Sequence, residues 1–239
     1  IATDDKSRRN IGTIFEKLGF NYYGPIDGHN FEEMTHVFNE MKQIKGPKIV
    51  HVLTQKGKGV DYMEQDMAKW HEHAAFDVET GRPMAQRVPG TPPLPSIEST
   101  AIETLIQLAE KDSKIVGLTA AMAAGSGMAK FGEKFPNRFY DVGIAEEHAV
   151  TFSGGLAAEG MKPFVCVYSP FLQRAFDEMM HDVASMHLPV RFLVPKAAVT
   201  GDGWTQGGIL DMSYLRIIPH FVVMAPKDEN ELRHMVKTA

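Results

Sequence analysis

The sequence holds one cysteine, Cys166, in 239 residues. A single thiol excludes a disulfide framework and a thiolate metal cluster, and it points to a reducing compartment, cytoplasm or plastid stroma. No apolar run approaches the roughly 18–20 residues that cross a bilayer, and no signal peptide opens the chain, so no membrane partner is expected. Positive charge is not in excess. The 25 Lys and Arg stand against 30 Asp and Glu, giving −5, and the basic residues are scattered rather than striped, which argues against nucleic acid as a partner. No internal repeat or low-complexity tract is present. What remains is the ordinary balance of a soluble globular protein, 44% hydrophobic and 23% charged, long enough for one large core or two modest ones. The chain starts in charged sequence and stops within a helical pattern at Ala239, so both ends are expected to be cuts.

Residues 1–78 read as a β-α-β unit. Ile11, Ile14, Phe15 and Leu18 recur at helical spacing over 7–18, Gly19 stops that helix, and 20–23 reads as a strand. The turn-rich GPIDGHN follows at 24–30. Asn30 with Glu33 is a capping-box-like start for a helix that places Met34, Val37, Phe38 and Met41 on one face. Residues 48–54 (KIVHVLT) read as a buried-type strand, after which QKGKG (55–59) forms a glycine-spaced basic loop. Such a loop at the carboxyl end of a strand can approach a phosphate through backbone N–H groups and lysine charge, although solvated lysines are the commoner reason for one. His71 and His73 have a metal-ligand spacing but no identifiable third ligand, so no metal is assigned. One of these imidazoles suits acid/base work or hydrogen-bond donation better.

Five prolines crowd 79–97, which is expected to be an extended linker between domains 1–78 and 98–239. Beyond it, strands and helices alternate through short loops, the pattern of a parallel sheet covered on both faces. The spacing predicts a helix over 98–111, with Ile102, Leu105, Ile106 and Ala109 inward, and a strand over 114–119. A Gly-Ser-Gly loop (125–127) leads to a short helix. A strand at 139–142 passes through Gly143 into a helix whose first turn carries Glu146, Glu147 and His148. Small residues at Ser153, Gly154, Gly155, Ala157 and Ala158 allow that helix to pack closely. Further strands are expected at 164–169, 189–194 and 221–224, with one amphipathic helix over 171–186 (Phe171, Ala175, Met179, Val183, Met186) and a last helix capped by Asp228 with Glu231.

Acidic residues where strands give way to helices face the usual ligand crevice of an open α/β sheet, although an acid in a first turn often only complements the helix dipole. Three features converge at one sheet edge: Glu146, the Tyr168–Phe171 corner with Arg174, and the glycine-dense loop around Asp202. Each has a plain structural explanation, but their common position points to a composite pocket more strongly than any single residue does.

These motifs together resemble the 1-deoxy-D-xylulose-5-phosphate synthase family of the transketolase superfamily. The resemblance is carried by GPIDGHN (24–30), QKGKG (55–59), Trp70-His71, AAMAAGSGM (120–128) and FYDVGIAEEHAVTFSGGLA (139–157). It continues through VYSPFLQRAFDEMMHDVA (165–184), DGWT (202–205) and DMSYLRIIP (211–219). It implies an α/β, parallel-sheet thiamine-diphosphate-binding fold: the tail of the first, diphosphate-binding-type domain, then most of the pyrimidine-binding domain. It further implies condensation of pyruvate with glyceraldehyde 3-phosphate, with release of CO2, by a homodimer. The implied cofactors are thiamine diphosphate and Mg2+, whose ligands would lie N-terminal to this chain. Glu146 is implied as the carboxylate on the cofactor's pyrimidine nitrogen and His71 as a proton-transfer group. Phe171, Met122, Ile144 and Val60 are implied around the cofactor, and Tyr168, Arg174, Asp202 and Lys196 around the substrates.

The sequence departs from the family pattern at four places. Gln206 stands where the family has a histidine, Lys196 where it has an arginine, and Val60 where it has an aromatic with Tyr62 close by; Glu72 and His73 alter the surroundings of His71. Lysine keeps the charge but not the bidentate fork, and glutamine cannot shuttle a proton. A changed acceptor preference is the resulting hypothesis. The alternatives are transketolase, a 2-oxoacid dehydrogenase β-subunit, or a non-catalytic thiamine-diphosphate-binding or assembly paralog. Residues 1–239 alone are expected to be inactive.

Overall fold

The computed structural model describes residues 12–67, 70–71, 75–84, 96–201 and 203–239. The chain divides into two compact units, Ile1–Thr91 and Pro92–Ala239.

In the first unit, helix α1 (12–17) precedes strand β1 (Asn21–Asp27), α2 (Phe31–Gln43), β2 (Lys48–Leu53) and the one-turn α3 (Asp61–Glu64). The two strands pair in parallel. Strand β1 is longer than expected and runs into the segment read from sequence as a loop, because its register shifts between Tyr23 and Ile26 instead of turning. Gly24 makes the shift possible: its φ is +120°, and a Cβ there would lie 2.4 Å from the His51 carbonyl oxygen. The Asn30 cap is present, its Oδ1 accepting the Glu33 N–H at 3.1 Å. Met41 is buried, whereas Phe38, Ile14 and Leu18 are exposed. Strand β2, expected to be buried, is only half-buried, since a two-stranded sheet presents more face than one helix covers.

In the second unit the order is α4 (Ile97–Ala109), β3 (Ile115–Thr119), α5 (Met128–Lys134), β4 (Phe139–Asp141), α6 (Glu146–Ala158) and β5 (Lys162–Cys166). It continues with α7 (Ser169–Leu172), α8 (Phe176–Glu178), β6 (Arg191–Leu193), α9 (Asp211–Leu215) and α10 (Glu229–Thr238). The strands form one parallel sheet in the order β4-β3-β5-β6. Central strand β3 is buried along its whole length and splits its side chains between two cores. Val116 and Leu118 join Val165, Val150, Leu172 and Met179 on one face; Ile115 joins Phe164, Ile102, Leu105, Phe131 and Leu232 on the other. This two-sided burial is why the strand reads as a continuous apolar run. Each fully buried Leu or Val contributes about 1.5–3 kcal/mol.

Three sequence expectations change in this unit. The single helix expected over 171–186 is broken into α7, a 3-10 turn at Gln173–Ala175, α8 and a π segment at Met179–Ala184, and Met186 is exposed. The π segment lies close to α6, where a Cβ on Gly154 would stand 3.0 Å from the Asp182 carbonyl oxygen and Thr151 Oγ1 donates to Asp182 Oδ2. Of the small residues on α6, Ser153, Gly154 and Ala157 are buried, but Gly155 and Ala158 are exposed. Finally, 221–224 joins no strand: Phe221 and Val223 pack on the core and Val222 and Met224 face outward, an alternation without a ladder partner among the described residues. The closing cap is as expected, Asp228 Oδ1 accepting the Glu231 N–H at 2.8 Å.

Candidate functional site

The carboxyl ends of β3 and β4 are tied by one side chain. Asp141 Oδ1 accepts the Ala121 N–H at 2.8 Å and the Gly143 N–H at 3.0 Å. Gly143, at φ +74°, then turns the chain so that Glu146 enters α6 at its first position. The Glu146 carboxylate is buried, with 3% of the residue exposed. Its partner is Arg174, whose Nη1 donates to Glu146 Oε2 at 3.3 Å while Nη2 reaches Glu147 Oε1 at 3.1 Å. Arg174, expected among the substrate groups, is thus engaged by both acids of the α6 first turn.

One turn before Arg174, the Tyr168–Phe171 corner is assembled from three loops. The ring centroids lie 5.9 Å apart, and the Tyr168 N–H donates to Met122 Sδ at 3.3 Å. Lys196 Nζ, implied near the substrates, lies 4.7 Å from the Tyr168 ring centroid, a cation–π contact. Gly125 cannot carry a side chain, because its Cβ would fall 1.9 Å from Tyr168 Oη. The structure therefore brings Glu146, Arg174, Phe171, Tyr168, Met122 and Lys196 into one neighbourhood. Ile144, two residues before Glu146 and implied near the cofactor, is 79% exposed. Asp202 lies outside the described residues, as do Glu72 and His73; Gln206 is half-buried in a 3-10 turn.

Next to this corner opens a cleft of about 290 Å³, bordered by Ser169, Gln173, Trp204, Gly208, Asp211 and Tyr214. Ser169 Oγ is buried there without a hydrogen-bond partner among the described residues, whereas Tyr214 Oη donates to the Ser169 carbonyl at 3.2 Å. Burial, and secondarily the Asp211 carboxylate, pushes the Tyr214 phenol above its ordinary range, so it stays a neutral donor. Sequence reasoning quoted the segments that hold Ser169, Gln173, Asp211 and Tyr214 but gave these residues no role of their own. Asp211, an acid opening a short helix after a glycine-rich loop, carried the one signal that could have flagged them.

In the first unit the basic loop is answered from inside. Glu64 Oε1 accepts the Gly59 N–H and Oε2 accepts Gln55 Nε2, both at 2.8 Å, with Lys58 Nζ at 4.0 Å. The loop does attract an anion, but the anion is the chain's own carboxylate. On the other side, the Gln55 N–H donates to His29 Nε2 at 2.8 Å, joining the GHN segment to this loop. Val60 is half-buried as the residue preceding α3. Tyr62, its aromatic neighbour, is spent on the Val78 carbonyl (2.7 Å) and on the Trp70 ring (5.1 Å). His71 is exposed, and its Nδ1 meets Lys56 Nζ. An ammonium only donates, so in this contact Nδ1 is the acceptor and Nε2 is left to face a ligand.

The Gly59 N–H, helped by Lys58 and Gln55, holds the Glu64 carboxyl below the usual carboxylate range. A lowered folded-state value means the loop's stabilisation is complete above the unfolded value and is lost as pH falls through the folded one. Amide exchange at Gly59 is expected to quicken, beyond the intrinsic trend, as acidification protonates Glu64 below the ordinary carboxylate range, and E64Q is expected to show fast exchange already at about pH 7. Gly59 protection in E64Q equal to that of the wild-type protein at that pH would contradict this.

Comparison with known proteins places this geometry. The profile described as "Transketolase, pyrimidine binding domain" matches residues 96–239, and that of "1-deoxy-D-xylulose-5-phosphate synthase" matches residues 2–54. The 1-deoxy-D-xylulose-5-phosphate synthase of Prochlorococcus marinus (strain NATL2A) is 49% identical over 229 residues, 95% of this chain and 36% of its own. That of Gloeobacter violaceus (strain ATCC 29082 / PCC 7421) is 51% identical over 233 residues, 97% of this chain and 36% of its own. The chain thus spans 36% of the length of these relatives. Among solved structures, "Split gene transketolase, inactive beta4 tetramer" is similar at 28% identity and a TM-score of 0.52, over 59% of this chain and 46% of that one.

Proposed function

Because this chain belongs to the family of transketolase pyrimidine-binding domains, we propose that it serves the thiamine-diphosphate-dependent condensation of pyruvate with glyceraldehyde 3-phosphate to 1-deoxy-D-xylulose 5-phosphate and CO2. The observation that carries the reading is Glu146, a buried carboxylate at the carboxyl edge of a parallel sheet, linked through Arg174 to the segment that presents Phe171. The synthase activity is favoured over transketolase by the second profile, over residues 2–54, and by about half of all positions being identical to curated synthases.

The residues present fit an aminopyrimidine ring. Such a ring needs an acid for its ring nitrogen and a flat apolar face to lie on, and Glu146 and Phe171 offer these from adjoining elements. When bound, the cofactor supplies a nucleophilic carbon that adds to the keto carbon of pyruvate and accommodates the electron pair freed with CO2. Glu146 shares a proton with the ring nitrogen, Met122 supports Tyr168 from below, and the Tyr168–Phe171 corner keeps water from one side of the ring. His71 meets a substrate oxygen through Nε2, the proton-transfer position the family resemblance implies for it. Lys196 and Asp202 serve substrate recognition, and the presence of Lys196, Gln206 and Val60 supports a changed acceptor preference. Mg2+ is proposed to be held by residues outside those described. The exposed Leu210, Ile217 and Val222 suit a homodimer, and a cytoplasmic or stromal location completes the reading.

The test is product analysis with the full-length protein, thiamine diphosphate, Mg2+, pyruvate and glyceraldehyde 3-phosphate. CO2 and 1-deoxy-D-xylulose 5-phosphate are expected in equal amounts. In a parallel reaction with a ketose phosphate in place of pyruvate, transfer without CO2 would move the assignment to transketolase, and no turnover in either reaction would overturn it.

A further inference from the structure

Two acids compete for one guanidinium at the first turn of α6. The Glu146 side chain is 4% exposed, the Glu147 side chain 37% and the Arg174 side chain 54%. A carboxylate buried to that degree requires a cationic or hydrogen-bonding partner, since an isolated buried charge is strongly disfavoured. Arg174 fills that need, yet its longer contact, 3.3 Å, goes to the buried acid, and its shorter one, 3.1 Å, to the half-exposed acid. Arg174 also follows Phe171 by three residues, in the 3-10 turn that continues from α7.

We propose that Arg174 is a stand-in counter-ion for Glu146 while no ring is bound, and that Glu147 is the positioning residue that retains Arg174 when a ring takes its place. This inference rests on the proposed function, in which Glu146 is the partner of an aminopyrimidine nitrogen. The exchange balances in both states. Without the ring, one guanidinium serves two carboxylates. With it, one proton taken up from solvent is shared between the Glu146 carboxyl and the ring nitrogen, and Arg174 with Glu147 forms a neutral, partly solvated pair. Only the Nη1–Glu146 contact has to break, because Nη2 already lies on Glu147. The cost of opening the site is thereby set by Glu147, which touches neither cofactor nor substrate.

The test is calorimetric titration of the full-length apo-protein with thiamine diphosphate and Mg2+, together with the melting temperature of each apo-protein. E147Q is isosteric and lies at the surface, so it is expected to fold. It should weaken cofactor binding about two- to fivefold, the scale of a half-exposed ion pair, because Arg174 then stays on Glu146. E147D is expected to restore most of the affinity. R174Q should lower the melting temperature of the apo-protein by leaving Glu146 without its partner, and in that background E147Q should have no further effect on affinity. An unchanged Kd in E147Q, or an equal loss with and without Arg174, would overturn the proposal while leaving the function in place. Failure of the wild-type protein to bind thiamine diphosphate at all would overturn both.

Discussion

Replacing Glu146 with glutamine is expected to lower kcat of the full-length enzyme by about 10²–10³-fold while changing thiamine diphosphate affinity far less. Glutamine matches the shape of glutamate and can still accept a hydrogen bond, so the ring is held in place. What it lacks is the negative charge and the ability to take or return a proton, which matter most when charge develops on the ring. Burial sharpens the difference, because the 3%-exposed site gives water little chance to substitute for the missing group. Glu147 remains available to Arg174, so the variant keeps a partner for its guanidinium and is expected to fold. Steady-state kinetics at saturating pyruvate and acceptor check this. A kcat within threefold of wild type would remove Glu146 from the chemistry.

The second large effect concerns the core that holds the site in place. Phe131 on α5 is fully buried, packs 5.1 Å from Phe135, and fills the space over Gly117 of β3, where a Cβ would meet the Phe131 ring at 3.0 Å and Met128 Cε at 2.5 Å. Phe131→Ala removes the ring, and Gly117 cannot grow to fill the void. The expected loss is about 3–5 kcal/mol, read as a shift in the urea midpoint at unchanged m. A loss below about 1 kcal/mol would mean that the helix collapses onto the sheet, a looser packing than the structure shows.

These two expectations also mark what the sequence could and could not say. The buried faces of β3 and the Glu146 turn were legible because a strand covered on both sides must be apolar throughout, and because a chain leaving it through Gly143 has few ways to continue. The caps at Asn30 and Asp228 were legible for the same local reason: the side chain bonds a backbone N–H three residues on. Where a partner distant in sequence decides the outcome, the pattern fell short. Residues 221–224 alternate as a strand does, but pairing needs a neighbouring edge that no local pattern reveals. Residues 171–186 have helical spacing, but the close approach to Gly154 accompanies a π segment. The loop at 55–59 looks open to an anion until Glu64, on the next helix, turns back to fill it.

Arg174 shows the limit most clearly. From the sequence it is one more arginine on an amphipathic helix, and family resemblance sends it to the substrates. In the folded chain it is held by two adjacent glutamates from another helix. Nothing in its own neighbourhood of the sequence encodes that pairing; the three-residue spacing to Phe171 matters only because α6 happens to lie opposite.

The most direct measurement is the ¹⁵N chemical shift of the cofactor's pyrimidine ring nitrogen, with labelled thiamine diphosphate bound to the full-length protein and to its Glu146→Ala variant at saturation. In the wild-type protein the resonance is expected to move away from its position in free cofactor, reporting a hydrogen bond to a carboxyl group, and in the variant to return toward it. The same shift in both proteins would contradict a role for Glu146 as the ring's partner.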